Sequence, residues 1–562
     1  MTAKKRKELK DDVSKRPNLT SIILGGFQVF DKPTTIPFAR LTFLFGPNSA
    51  GKSAVEDALI LINEVLRGNS SAGSFDTGGS PGRFERLSQD WRRSSGDDNS
   101  FAPTLTLGTT FHVPTDLSAL LATKQDKKRQ PKHKALNHEV KLVFFYRVTF
   151  VDDGYGNGDH NPFVARDFTV SVDERELLQL QENQRFGLNL EHPVLTGSNL
   201  RNVLQKADQL STRVAEIKDG WVWLKSKSTD IDASRKLDRI GFLNGILESM
   251  KVGGGEMASR TKPVLGAVAD IFDLLHGRIT SDANLHIDVV NASRKVPTSQ
   301  QLSVLCATHL LEHRGLQNLS DKQRSLAHFG LAESRENGLY QTLAESFVTA
   351  NVHEYDMYDP DLFNGVNRAL TDHLFIERGY RLDADVKVIV DSARLRDLTN
   401  ADSSEPTKFP LLVQLHLIDS QGRRFSFDQV GSGLGYVLPI LSSMFHEIRI
   451  SLLQQPELHL HPALQSELGD VMIEASTACK QLIVETHSEY LLLRVLKRIR
   501  QFSSNTAVSR ELQLKPEEVS VVYFDPSPEG ITKVKRLRIS EDGDFLDQWP
   551  RGFFPERDKD LF

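Results

Sequence analysis

Cysteine is nearly missing: Cys306 and Cys479 are the only two in 562 residues. That excludes a disulfide framework and any four-thiolate zinc site within one chain. Reduced thiols of a cytoplasmic protein are the natural reading. No run of about 18 apolar residues exists, so no segment reads as a membrane-spanning helix. Charge of one sign is not in excess either. The net charge is −5 and the pI about 6.4, so no global basic field advertises nucleic acid. The basic start, Lys4-Lys5-Arg6-Lys7, has no apolar stretch behind it and is not a secretory signal. Sustained heptads are absent, which excludes a long coiled coil. What is left is a chain long enough to bury a large core, with two structural lobes expected.

The most informative stretch that is present is Gly46-Pro47-Asn48-Ser49-Ala50-Gly51-Lys52-Ser53. An apolar strand pattern, 41–45, precedes it and a helical pattern, 54–66, follows. This is the context of a phosphate-binding loop. The glycines let backbone N–H groups point into one concavity. Lys52 is placed to reach β- and γ-phosphates, and the Ser53 hydroxyl to ligate Mg²⁺. The expected ligand is ATP or GTP.

Short β-branched and aromatic runs at 101–113, 140–151 and 167–172 predict an antiparallel sheet beside the nucleotide-binding one. Residues 21–30 read as a strand and turn. Between about 198 and 378 the texture becomes helical, at 264–275, 301–313 and 340–352. Strand texture returns at 386–390 and 411–418, and short apolar runs at 451–453 and 481–484 predict buried parallel strands. The nucleotide fold is therefore expected in two pieces. The expected division is 1–197 for the first part of the head, 198–378 for a mostly helical insertion, 379–510 for the second part, and 511–562 for a tail.

Four further elements follow in order. Val430-Gly431-Ser432-Gly433-Leu434-Gly435 precedes an apolar helix pattern, which suits an anion. Ile450 to Glu457 is an apolar strand ending in polar residues. Leu458-His459-Leu460-His461-Pro462 comes next, and Gln481 to Ser488 ends a second strand in Glu485-Thr486-His487-Ser488.

Together with the phosphate loop, these resemble the ATPase heads of the ABC/SMC superfamily, and in particular the RecF- and OLD-like AAA family ATPases. The runs Gln455 to Pro462 and Glu485 to Ser488 carry that resemblance. Asp542 to Pro550, with Gly552-Phe553-Phe554, resembles a tail of unassigned function attached to some of these ATPases. The implied fold is α/β, an ABC-type P-loop head split by a mostly helical insertion, with a small C-terminal tail.

The resemblance also implies roles. Gly46, Pro47, Asn48, Ser49, Ala50, Gly51, Lys52 and Ser53 would hold the phosphates of ATP. Gly431, Ser432 and Gly433 would form a signature that contacts the γ-phosphate held by another subunit of a homodimer. Gln454 stands where an acid linked to Mg²⁺ normally ends the strand, Gln455 where a catalytic base often stands, and Gln89 at a Q-loop position that also faces the metal. His459 to Pro462 falls at the D-loop, and His487 at the switch that reads the γ-phosphate.

Gln454 and Gln455 imply poor turnover, because a neutral amide cannot take a proton or lend charge to Mg²⁺. Either the chain is a natural low-turnover switch or a glutamate has been replaced by Gln454, since some relatives read Glu-Gln here. The resemblance leans towards the ATPase subunit of Septu-type anti-phage defence systems, including retron-associated ones. There a separate HNH-type nuclease subunit cuts, and nucleic acid or a retron reverse transcriptase with its RNA–DNA are further partners. The alternative is a RecF-like repair ATPase that binds DNA directly.

Blander readings compete at several points. Glu457, His459 and His461 have metal-ligand character, but proline and the preceding buried strand favour the D-loop. Asp542 and Asp544 have the spacing of paired nuclease carboxylates, but flank a glycine and read better as a solvated turn. The chain is accordingly not expected to be a nuclease itself. Lys127-Lys128-Arg129 reads as a solvated loop. Trp221 and Trp223 read as a strand edge packed on the core rather than a base-stacking platform.

Overall fold

The computed structural model describes residues 17–67, 104–114, 116–117, 137–148, 163–181, 185–195, 215–225, 287–292, 343, 360–388, 411–427, 429–430, 432–446, 449–476, 480–506 and 509–550. The chain forms two compact units. The first comprises Met1–Ala39, Gly46–Ile287 and Val522–Arg536; the second comprises Arg40–Phe45, Asp288–Val521 and Leu537–Phe562.

The first unit holds a nine-stranded sheet. Its strands are β1 (Asn18–Gly25), β2 (Thr34–Pro37), β4 (Thr104–Val113), β5 (His138–Val148), β6 (Phe163–Val172), β7 (Arg175–Leu180), β8 (Arg185–Asn189), β9 (Ala215–Lys218) and β10 (Trp221–Lys225). The order is β2-β1-β4-β5-β6-β7-β8-β10-β9, with every neighbouring pair antiparallel. Along β5, His138, Val140 and Leu142 are buried while Glu139 and Lys141 are exposed, the period of two that a sheet with one packed face requires. The turns obey the same logic. Asp173 and Glu174 join β6 to β7 with φ of 49° and 64°, and Asp219 and Gly220 join β9 to β10 with 53° and 79°. Two consecutive left-handed residues match the twist of a tight hairpin.

A six-stranded sheet contains β3 (Leu41–Phe45), β11 (Ile287–Val290), β15 (Ile450–Gln454), β16 (Gln481–Glu485), β17 (Val519–Pro526) and β18 (Thr532–Leu537). Its order is β11-β15-β16-β3-β17-β18. β15, β16 and β3 are parallel, with Gln454 opposite Glu485 and Glu485 opposite Leu44. All five residues of β3 and of β16 are buried, as expected of a parallel sheet covered on both faces. A smaller antiparallel sheet, β12 (Arg381–Val388), β13 (Leu411–Ile418) and β14 (Arg424–Phe425), completes the strands of the second unit.

The α-helices bounded among the described residues are α1 (Lys52–Arg67), α2 (Pro360–Arg368), α3 (Ser432–Phe445), α4 (Pro462–Ala475) and α5 (Glu489–Ser503). α2 continues into a π-helical turn, Ala369–Leu374. No helix among the described residues is long and apolar enough to cross a membrane.

Two expectations meet the strands differently. Residues 198–378, read as mostly helical, supply β9, β10 and β11 as well as α2. The helical patterns at 264–275 and 301–313 lie outside the described residues, as does 340–352 apart from Leu343. Residues 511–562, read as a tail, contain β17 and β18, two strands of the six-stranded sheet.

Candidate functional site

In the first unit the phosphate loop is a turn that side chains would obstruct. Gly46 has φ of 149°, Ser49 63° and Gly51 93°. A Cβ on Gly46 would lie 2.7 Å from the carbonyl oxygen of Phe524, so the backbone passes where only glycine fits. The Ala50 amide closes a turn onto the Pro47 carbonyl at 3.3 Å. The Lys52 side chain is buried, and its ammonium donates to the carbonyls of Gly46 at 3.0 Å and Pro47 at 2.9 Å. The buried ammonium is thus hydrogen-bonded to the loop's own carbonyls, which places a positive charge inside the curled backbone. Ser53 is exposed one residue further along α1.

In the second unit the polar residues gather at the carboxyl ends of β15 and β16, where parallel sheets place their ligand crevices. Gln454 ends β15, and its Oε1 accepts the backbone N–H of Ala292 at 3.2 Å. Gln455 adopts a left-handed φ of 42° and donates its N–H to the Glu485 carbonyl at 2.7 Å. Glu485 is a buried carboxylate between Gln454 on one side and Leu44 on the other. It was not among the candidates from sequence, although an acid closing an apolar strand was the signal available.

The motif Leu458 to Pro462 and the glutamate before it send their polar side chains in three directions. Glu457 Oε1 accepts the His487 backbone N–H at 2.8 Å. The His459 ring stacks on Tyr436 of α3, with centroids 4.2 Å apart and planes at 26°. His461 caps α4, its Nδ1 accepting the Ala463 N–H at 3.3 Å with Pro462 in the first turn. They do not converge on one point, which favours the loop reading over a metal site.

The segment that follows β16 is shaped by its own hydroxyls. Thr486 Oγ1 accepts the Ser488 N–H at 3.0 Å, and Ser488 Oγ caps α5 by accepting the Leu491 N–H at 3.3 Å. This leaves the His487 side chain exposed between two anchored neighbours. Ser432 begins α3. At Gly433 a Cβ would lie 2.8 Å from the His459 carbonyl oxygen, so the helix start and the His459 turn approach at backbone distance. Gln89 and Gly431 lie outside the described residues, as does Lys127-Lys128-Arg129.

Other charged groups are accounted for structurally. His373, Glu467 and Asp470 each bring a ligand atom within 4.8 Å of the others. However, Arg494 engages Asp470 at 2.6 Å and Glu467 at 2.8 Å, and Arg498 Nε engages Asp470 at 2.7 Å. Guanidinium groups satisfy these carboxylates, and the group reads as an ion-pair network tying α4 to α5. The Glu474 hydrogen bond holds the neighbouring His373 above its ordinary imidazole range. Asp542 and Asp544 form a turn docked on α5, where Arg500 reaches the Asp542 carbonyl at 2.9 Å and the Asp544 carboxylate at 2.6 Å. Trp221 and Trp223 stack on each other at 5.4 Å, and the Trp223 ring covers Gly187. That is packing within the sheet.

Residues 311–494 match a family model described as "AAA domain, putative AbiEii toxin, Type IV TA system". The match takes in Gln454, Gln455 and His487 and does not reach the phosphate loop. Residues 514–562 match a second, described as a protein of unknown function, DUF3696. No curated protein matches the chain. Among solved structures, an SMC head bound to the C-winged helix domain of ScpA is 10% identical, with a TM-score of 0.36, and the alignment covers 93% of this chain and 98% of that one. An SMC head with an extended coiled coil bound to the C-terminal domain of ScpA, from Pyrococcus furiosus, is 13% identical with a TM-score of 0.34, covering 93% and 96%. The SMC head domain from Thermotoga maritima is 9% identical with a TM-score of 0.32, covering 93% and 100%. TM-scores this low carry no argument, and the α/β reading rests on the strand order.

Proposed function

We propose that the chain is an ATP-binding switch of the ABC/SMC-like AAA type, acting as a dimer with ATP held between subunits. The observation that carries this is the buried Lys52 ammonium held on the carbonyls of Gly46 and Pro47 inside a loop whose first backbone position admits only glycine. That cradle fits a polyphosphate. Lys52 and the loop amides would hold the phosphates, and the exposed Ser53 hydroxyl would ligand Mg²⁺. The metal, when bound, supplies charge neutralisation at the phosphates. Gln454 would orient rather than deprotonate, with Glu485 buried opposite it on the neighbouring strand.

On this reading ATP favours the closed dimer, with Ser432 and its glycines facing the nucleotide of the other subunit, and His487 distinguishes ATP from its product. The low turnover implied by Gln454 and Gln455 suits a sensor that holds one state for long periods. We place it in an anti-phage defence complex of Septu type, where a separate HNH-type nuclease cuts. The motif Gln455 to Pro462 supports this placement, as does the match to a family described by a toxin of a type IV TA system. The test is calorimetry of Mg²⁺–ATP with the wild-type chain and with Lys52→Ala. Tight binding by the wild type that is lost in the variant is expected; equal affinity in both sinks the assignment.

A further inference from the structure

The segment 514–562, matched only to a family of unknown function, reaches back to the phosphate loop. Thr532, at the start of β18, is buried, and its Oγ1 donates to the Ala50 carbonyl at 2.9 Å across 482 positions of sequence. Its own N–H donates to the Val29 carbonyl at 3.0 Å, which fixes the residue at both ends. From β17, the Phe524 carbonyl lines the space that a Gly46 side chain would need, and the Phe524 ring meets Phe30 edge-on at 6.4 Å. In the second unit, Trp549 of the same segment lies edge-on to Phe45, the residue before Gly46, at 5.6 Å.

We infer that Thr532 is a positioning residue for nucleotide binding, and that the C-terminal segment sets nucleotide affinity by holding the phosphate loop. This rests on the nucleotide-binding function proposed for the loop. One peptide plane decides it. No cis peptide occurs among the described residues, and in a planar trans peptide the carbonyl of one residue and the N–H of the next point in opposite directions. Binding the Ala50 carbonyl to Thr532 therefore fixes the Gly51 N–H on the side away from β18. That plane turns about ψ of Ala50 and φ of Gly51, and the glycine, at a left-handed φ of 93°, lets it turn over. A flipped plane would show phosphate a carbonyl oxygen in place of a donor. The Thr532 hydroxyl selects the orientation that an anion requires.

The experiment uses the full chain and Mg²⁺–ATP as the probe. Thr532→Val keeps the side-chain shape and removes the donor; Thr532→Ser restores it. The expected result is about a tenfold loss of ATP affinity in Thr532→Val, the scale of one buried hydrogen bond. The nucleotide-free thermal midpoint should stay near wild type, and Thr532→Ser should recover the affinity. Wild-type affinity in Thr532→Val overturns the inference alone. If the wild-type chain binds no nucleotide, the nucleotide reading falls and the inference with it. Should Thr532→Val fail to fold, hydrogen exchange on the wild type decides. Mg²⁺–ATP should then protect the amides of 532–537 together with those of 46–53, and protection confined to 46–53 overturns the inference.

Discussion

The Glu457 carboxylate accepts the backbone N–H of His487 at 2.8 Å, so the turn after β15 holds the segment after β16. Both residues belong to loops that follow buried strands, and the Glu457 side of the bond is buried. If His487 reads the γ-phosphate, Glu457 sets where it reads. In a Gln454→Glu background, Glu457→Ala should lower ATP turnover by roughly tenfold or more, the scale of a lost hydrogen bond to a charged group. ATP affinity should change less. Steady-state phosphate release at saturating ATP checks this, and an unchanged rate counts against the coupling.

Gln454 itself gives the second prediction. It can accept the Ala292 N–H but cannot take a proton. Gln454→Glu should leave ATP binding intact and raise turnover by roughly 10²–10⁴-fold if the group acts as an acid–base catalyst. If it only supports the metal, the gain is smaller. Rapid turnover by the chain with Gln454, or no gain with glutamate, would sink the proposal.

Ser432 is proposed to act across a dimer interface. A Lys52→Ala subunit mixed with a Ser432→Arg subunit should then regain one intact composite site. ATP-dependent association, followed by light scattering, is expected to return in the mixture and in neither variant alone. Mixed dimers that form yet show no recovery would remove the support for a shared site.

The purified chain is expected not to cleave DNA or RNA. Arg500 already engages the Asp544 carboxylate and the Asp542 carbonyl in the turn on α5. Incubation with Mg²⁺ or Mn²⁺ and varied substrates is the assay. Cleavage that disappears in Asp542→Ala or Asp544→Ala would restore the nuclease reading.

Lys480 predicts a pH dependence of stability. It is buried, and burial pushes its ammonium down to about 7 from an ordinary 10.5, with Asp288 opposing. Its Nζ donates to the carbonyls of Ser443 at 2.6 Å and His446 at 3.2 Å, at the end of α3. A lysine whose folded value is depressed binds its proton more readily in the unfolded chain. The destabilisation is therefore full below about 7 and vanishes above 10.5, and stability rises with pH across that window. Lys480→Met should lose this rise. Thermal midpoints of both proteins across the window check it, and parallel profiles would contradict it.

Much of the site was legible because its elements are local. The strand expected at 41–45 is β3, and the helix expected from Ala54 begins two residues earlier at Lys52. The runs at 451–453 and 481–484 are the parallel strands β15 and β16, each one or two residues longer. The run at 411–418 is β13. What was not legible depends on partners far away in sequence. Thr532 sits in Thr-Lys-Val-Lys, a mixed polar strand that says nothing of Ala50. β11 is four residues, too short for a pattern to declare. Glu457 and Glu485 stood in motifs that the sequence displayed, but the Glu457 bond to His487 and the register of Glu485 beside Gln454 are set by strands far apart in the chain.

The position of β3 also has a consequence for synthesis of the protein. Leu41 pairs with Leu482, and the other neighbour of β3, β17, begins only at Val519. At a ribosomal rate of about 5–20 residues per second, β3 waits on the order of tens of seconds for either partner to emerge. Throughout that wait the apolar run Leu41-Thr42-Phe43-Leu44-Phe45 has no sheet to enter. An apolar run left without its sheet for that long is a segment at which the nascent chain is prone to aggregate. The phosphate loop is translated early and assembled late, and a product cut short before β16 carries the motif without the strands that flank it.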